Sequence, residues 1–192
     1  MRIGVLASQG AFAEHMVVLL KLGVAALPVR LPGELKGLDG LIIPGGESTS
    51  ISKLMRDYDL MGEVGDLAGN GLPIFGTCAG MILLAREISD ATVEPLGVMA
   101  ITVRRNAFGR QRDSFEAELS IPVLGKKPFP GVFIRAPKII GTGDGVEVLA
   151  RLDDGTVVAA RQGKLLASAF HPELTDDPRF HKYFLDIVAR ER

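Results

Sequence analysis

The 192-residue chain has a single cysteine, no tryptophan, few aromatic residues and almost no net charge, formally −1. One cysteine excludes an internal disulfide and any metal site built from several thiolates. The 22 Lys and Arg are scattered among 23 Asp and Glu, and no basic block marks a surface for nucleic acid or another polyanion. The N-terminal stretch Met1–Gly10 is too short for a secretory core, and Glu14, His15 and Lys21 rule out a membrane span there, so a cytoplasmic protein is expected. Internal repeats, low-complexity tracts and Pro/Ser-rich linkers are also lacking. At this length the chain buries a full core without a staple, and the expectation is one domain over residues 1–192.

What is present alternates. Residues 2–7 read as an apolar strand, Gln9-Gly10 as a turn, and 11–22 as a helix with Phe12, Met16, Leu19, Leu20 and Gly23 at helical spacing. Val24–Val29 and Gly40–Ile43 read as strands apolar on both faces, with Pro28 placing the former toward an edge. A helix to about residue 67, breaking near Tyr58-Asp59, precedes a strand at 73–77. Strict βα alternation predicts a parallel sheet with helices on both faces and ligands at the strands' C-terminal edge. From about residue 90 to 170 the texture turns to short β-rich runs. Asp153-Asp154-Gly155 and Gln162-Gly163 are hairpin signals that predict an antiparallel meander of the last three strands.

Three motifs carry chemistry. Phe75-Gly76-Thr77-Cys78-Ala79-Gly80 reads as a strand, a sharp turn and a helix start, a nucleophile elbow that leaves Cys78 exposed with its sulfur near a helix N-terminus. A lone cysteine is more often a small core residue; the local pattern reverses that preference. Pro44-Gly45-Gly46-Glu47-Ser48-Thr49-Ser50 joins a strand to a Ser/Thr-capped helix through a Gly-Gly turn, which suits either an oxyanion or a plain βα connection. Phe170-His171-Pro172-Glu173 puts a histidine at the end of a strand with a carboxylate two residues on, able to fix the imidazole tautomer. His15 and His181, in predicted amphipathic helices, read as ordinary packing or surface histidines with nothing to place them near Cys78.

With these three motifs in this order, the chain resembles the class I, triad-type glutamine amidotransferases. Val103–Gln111, Asp113-Ser114-Phe115-Glu116 and Gly131–Pro137 narrow the likeness to the glutaminase subunits of pyridoxal 5'-phosphate synthases, from Gly4 to the last helix. Ser8 departs mildly from the apolar residue common there. The resemblance implies an α/β, flavodoxin-like three-layer sandwich with a mostly parallel central sheet and antiparallel strands in the C-terminal half. It implies Cys78 as nucleophile, His171 as proton shuttle and Glu173 as its support, with an oxyanion hole from the backbone of Gly46 and Ala79. It also implies L-glutamine bound by Gly46, Glu47, Ser48, Arg105, Ile134 and Arg135, with no metal and no cofactor of its own. The implied partner is a separate (β/α)₈-barrel synthase subunit, which needs about 250 residues and must be another chain. Gln9 and the helix beginning near Ala11 would lie close to the ammonia exit and docking face. Rival readings are a glutaminase of another pathway, such as the histidine one, a Cys-elbow hydrolase of the same architecture, or a binding module with a decayed site.

Overall fold

Strand and helix alternate through the first half, as β1 (Arg2–Leu6), α1 (Phe12–Lys21), β2 (Ala25–Val29), β3 (Gly40–Ile43), α2 (Ser48–Asp57), α3 (Leu60–Gly69), β4 (Ile74–Thr77) and α4 (Ala79–Leu84). The structure is a computed structural model that describes residues 1–89, 93–105, 107 and 114–190. Of the stretch 103–111, Asn106 and Phe108–Gln111 lie outside the described residues, as does Asp113. The break between α2 and α3 falls at Tyr58-Asp59, where Asp59 takes a left-handed conformation (φ 57°) that ends one helix and starts the next.

The second half supplies β5 (Ala85–Ile88), β6 (Met99–Arg104), β7 (Ser114–Leu119), β8 (Phe129–Ile134), β9 (Lys138–Thr142), β10 (Glu147–Arg151), β11 (Val157–Gln162), β12 (Leu165–Ser168) and α5 (Arg179–Ala189). Among the described residues the main sheet runs β2-β1-β3-β4-β12-β11-β9-β6-β5, with β10 beside β11, and β7-β8 form a separate hairpin. Strands β2, β1, β3, β4 and β12 are parallel, whereas β10, β11 and β12 form the expected antiparallel meander. Pro28 sits on the edge strand β2, which is half-buried rather than apolar on two faces; β3, flanked on both sides, is buried throughout. Two strands were not foreseen. β5 continues directly from the six-residue α4, and β9 follows Pro137.

Side chains alternate along β4, and this sets the layers. Phe75 points to one face, where its ring meets Phe180 and Phe184 of α5 at 5.5 and 5.6 Å and His15 of α1 at 6.2 Å between centroids. Gly76 points to the other, where an added Cβ would lie 2.5 Å from the Gly80 backbone of α4. Hence α1 and α5 cover one face and α4, with α2 against it, the other. Phe75, Phe180 and Phe184 are fully buried, each contributing roughly 1.5–3 kcal/mol by leaving water.

Candidate active site

Four adjacent parallel strands, β1, β3, β4 and β12, end at the same edge and deliver Gln9, Gly45-Gly46, Cys78 and His171 side by side. The elbow after β4 depends on close approach rather than on glycine's φ freedom. It is Cys78 that takes the positive φ (50°), while a Cβ on Gly80 would stand 2.0 Å from the Ile43 carbonyl oxygen. Without those two side chains the helix start presses against β3 and β4 and forces the bend onto the cysteine. Cys78 is not exposed as its motif predicts. It is 7% accessible and opens only into a cleft of about 290 Å³, with its sulfur 3.9 Å from the Ile134 carbonyl oxygen. The cleft walls screen it from the sides.

His171 follows β12 and is pinned by its backbone N–H, which donates to Val132 O at 2.8 Å. That bond also ties the β7-β8 hairpin to the site, and the stacked rings of Phe115 and Phe133, 4.5 Å apart, stiffen the hairpin. Nδ1 of His171 lies 2.6 Å from Oε1 of Glu173, leaving the opposite ring nitrogen for Cys78. Burial pushes the His171 pKa down, but hydrogen bonds and charge from Cys78 and Glu173 outweigh it and raise it to about 10. The imidazolium is therefore the form these neighbours select at neutral pH.

Ahead of α2, the Gly45 carbonyl accepts the Ala11 N–H at 3.1 Å. Across the planar trans peptide the Gly46 N–H points the opposite way. Ser48 and Thr49 do not cap α2. Glu47 does, accepting from the N–H groups of Thr49 and Ser50 at 3.0 and 2.7 Å and from Ser50 Oγ at 2.7 Å. Slight burial raises its pKa, but these hydrogen bonds prevail and hold it at about 2. Gln9 Oε1 accepts the Glu47 N–H at 3.0 Å. Arg105 Nη2 lies 3.6 Å from Glu47 Oε1, and Arg135, at φ 42°, is a strained non-glycine residue at the end of the hairpin.

Every residue expected to touch substrate lines the cleft: Gly46, Glu47, Ser48, Arg105, Ile134 and Arg135, together with Cys78, Ala79 and His171. Gln9 and Ile82 line it too. Glu173 stands behind, its side chain fully buried. His15 and His181 are packing histidines, as one half of their reading has it, but the expectation that nothing places them near the site fails for His15. Both are fully buried, and His15 Nε2 lies 3.3 Å from Glu173 Oε2 and 3.1 Å from Thr77 Oγ1, while its Nδ1 is 2.8 Å from His181 Nε2. Their helix spacing showed two amphipathic faces but not that α1 and α5 share one side of the sheet behind β4. Among the described residues no group of His, Cys, Asp and Glu could hold a metal ion, and no helix is long and apolar enough to cross a membrane.

A cysteine on a strained strand-to-helix bend, backed by a carboxylate-supported histidine at the edge of a parallel sheet, defines the class of thiol-dependent acyl-transfer enzymes. The family model described as the SNO glutamine amidotransferase family matches residues 5–190, and the chain belongs to that family. It is 62% identical over 190 residues to a pyridoxal 5'-phosphate synthase subunit PdxT of Herpetosiphon aurantiacus, covering 97% of this chain and all of the relative. A second subunit of that name, from Pelotomaculum thermopropionicum, is 57% identical over 190 residues, covering 99% of this chain and 96% of the relative. A crystal structure described as a glutamine amidotransferase matches with a TM-score of 0.93 at 52% identity, over 98% of this chain and 100% of that one.

Proposed function

We propose that the chain is the glutaminase subunit of a pyridoxal 5'-phosphate synthase, hydrolysing L-glutamine to glutamate and ammonia. One observation carries the chemistry: the buried Glu173–His171 pair, 2.6 Å apart, aims the free ring nitrogen of His171 at Cys78 in a cleft. The thiolate of Cys78 adds to the side-chain carboxamide carbon, and the carbonyl oxygen becomes an oxyanion. The N–H groups of Gly46 and Ala79 receive it; such donors are worth roughly 3–4 kcal/mol in the transition state. The C–N bond then breaks as His171 gives its proton to the leaving nitrogen, releasing ammonia and leaving a γ-glutamyl thioester. Water attacks that carbonyl, His171 takes its proton, and glutamate departs with the thiolate restored. Glu173 holds His171 in one tautomer and orientation throughout.

Arg105 and Arg135 suit the α-carboxylate of glutamine, while Glu47, ionised down to about pH 2, suits its α-ammonium. Ser48 and the Ile134 backbone complete the substrate contacts. Residues 1–192 act as one glutaminase domain. The ammonia passes to a separate (β/α)₈-barrel synthase subunit docked near Gln9 and α1, in the cytoplasm, where pyridoxal 5'-phosphate is a product of the complex and not a cofactor of this chain.

The test is glutamate release from glutamine with and without a pyridoxal 5'-phosphate synthase subunit, for the chain and for Cys78→Ala. Release that rises with the synthase and is abolished in the variant supports the assignment. Release indifferent to the synthase would move the chain to another amidotransferase pathway, and no release under either condition would overturn the glutaminase reading.

A further inference from the structure

Behind the catalytic pair lies a buried relay that the hydrolysis above does not use. Glu173 offers two carboxylate oxygens to the protein interior. Oε1 is taken by His171; Oε2 has no aligned hydrogen-bond partner, and the polar atom beside it is Nε2 of His15 at 3.3 Å. That nitrogen also meets Thr77 Oγ1 at 3.1 Å, next to the nucleophile in the chain. On its other side, His15 Nδ1 is 2.8 Å from His181 Nε2, and His181 Nδ1 is buried without a partner.

Two proton arrangements are available to the neutral pair. With the His15 proton on Nδ1, a bare lone pair on Nε2 would face the Glu173 carboxylate, and His181 would carry its proton on Nδ1, a buried donor with nothing to receive it. With the proton on Nε2, the N–H sits between Thr77 Oγ1 and Glu173 Oε2, Nδ1 accepts from His181 Nε2–H, and the orphan at His181 Nδ1 is only a lone pair. The first strands a fixed ring N–H and sets a lone pair against a carboxylate, whereas the second opposes no charge and displaces only the hydrogen of the Thr77 hydroxyl, which can rotate.

We propose that His15 is a positioning residue of the active site. Its Nε2–H, set on that nitrogen by the hydrogen bond from His181, steadies the second oxygen of Glu173 and through it the orientation of His171. The groups facing His15 are His181 from α5, Glu173 and His171 from the segment after β12, and Thr77 from β4. Burial first, then the charges of His181 and His171, keep His15 well below its usual pKa, and burial holds His181 at about 4, so both are neutral where the enzyme works. The role rests on the glutaminase reading above, and its test is arranged so that the two can fail separately.

The experiment has three arms. Nitrogen-15 NMR of the unaltered chain near pH 7 should find His15 and His181 neutral with their protons on Nε2; a proton on Nδ1 of His15 would overturn the proposal without any variant. With the synthase subunit present, His15→Phe should lower kcat about tenfold or more while KM stays within about twofold, and His15→Gln, which returns an N–H near the same place, should recover part of the loss. The rate at which iodoacetamide alkylates the sole cysteine reports the Cys78–His171 pair without glutamine. In His15→Phe its half-maximal pH should rise by about half a unit or more, because a loosened Glu173 supports the imidazolium less well. A purely structural histidine would change unfolding but not this profile, and an unchanged profile with unchanged kcat sinks the proposal. Should neither chain release glutamate, the glutaminase reading fails, while the NMR and alkylation arms still decide the role of His15.

Discussion

The Cβ that Gly45 lacks would stand 2.3 Å from Cε1 of His171 and 3.3 Å from Cβ of Cys78. The Gly-Gly turn after β3 thus leaves the room in which the imidazole stands, besides presenting the Gly46 N–H. Gly45→Ala is expected to displace His171 and lower kcat/KM for glutamine about a hundredfold, since misplacement by about 1 Å costs that much. Steady-state glutamate release, with circular dichroism to confirm folding, checks it; near-normal activity would mean the ring has slack.

Gly80 limits stability rather than chemistry. Its Cβ would meet the Ile43 backbone, with the carbonyl oxygen at 2.0 Å and the carbonyl carbon at 2.8 Å, and neither β3 nor α4 is free to retreat. Gly80→Ala is expected to cost about 1–3 kcal/mol by overpacking, measured by urea unfolding. A midpoint equal to that of the parent chain would contradict the rigid packing of the elbow.

Arg135 is held at φ 42°, where glycine is comfortable and arginine is not. Arg135→Gly should therefore leave stability unchanged or raise it by up to about 1 kcal/mol, while raising KM for glutamine about tenfold through loss of a carboxylate partner. A KM equal to that of the parent chain would make Arg135 an ordinary surface residue.

The buried histidines set an acid limit. Below the ordinary histidine pKa of 6.5 and down to about 4, the unfolded chain binds a proton at His181 that the folded chain refuses, so stability falls as pH falls through that window. The loss at its lower end is on the order of 3 kcal/mol. His171 acts oppositely. Raised to about 10, its contribution is fully present below pH 6.5 and is lost as pH climbs from there through 10. Urea unfolding at intervals from pH 4 to 10 should show stability dropping at both ends, and His181→Phe should make the acid limb shallower without abolishing it, since His15, also held below its usual pKa, contributes to the same limb. An unchanged acid limb in that variant would place the titration elsewhere.

Much of this was legible in the chain because it was local. The βα alternation, the break at Tyr58-Asp59, the edge position of Pro28 and the terminal meander each follow from a few adjacent residues. The elbow, the Gly-Gly turn and the His171–Glu173 step were equally local, and strand order brought them together. What escaped depended on the third dimension. The burial of Cys78 comes from a hairpin arriving from residues 114–134, and the meeting of His15 with Glu173 comes from α1 and α5 sharing a face. Glu47 was misread for a different reason: a carboxylate reaching forward to two N–H groups caps a helix as well as the serine and threonine that follow it.

The strand that leads to His171 follows every other described strand in sequence and lies in the middle of the sheet. β12 pairs with β4 on one side and β11 on the other, so Leu165 meets Ile74 across a wide gap in sequence. Long-range pairings of this kind form late because loop closure must come first. During synthesis Cys78 is made long before His171, and the edge of β4 that pairs with β12 has no partner until β12 has been made. A growing chain therefore has no imidazole beside its thiol, and releases no ammonia, until β12 and His171 have been added.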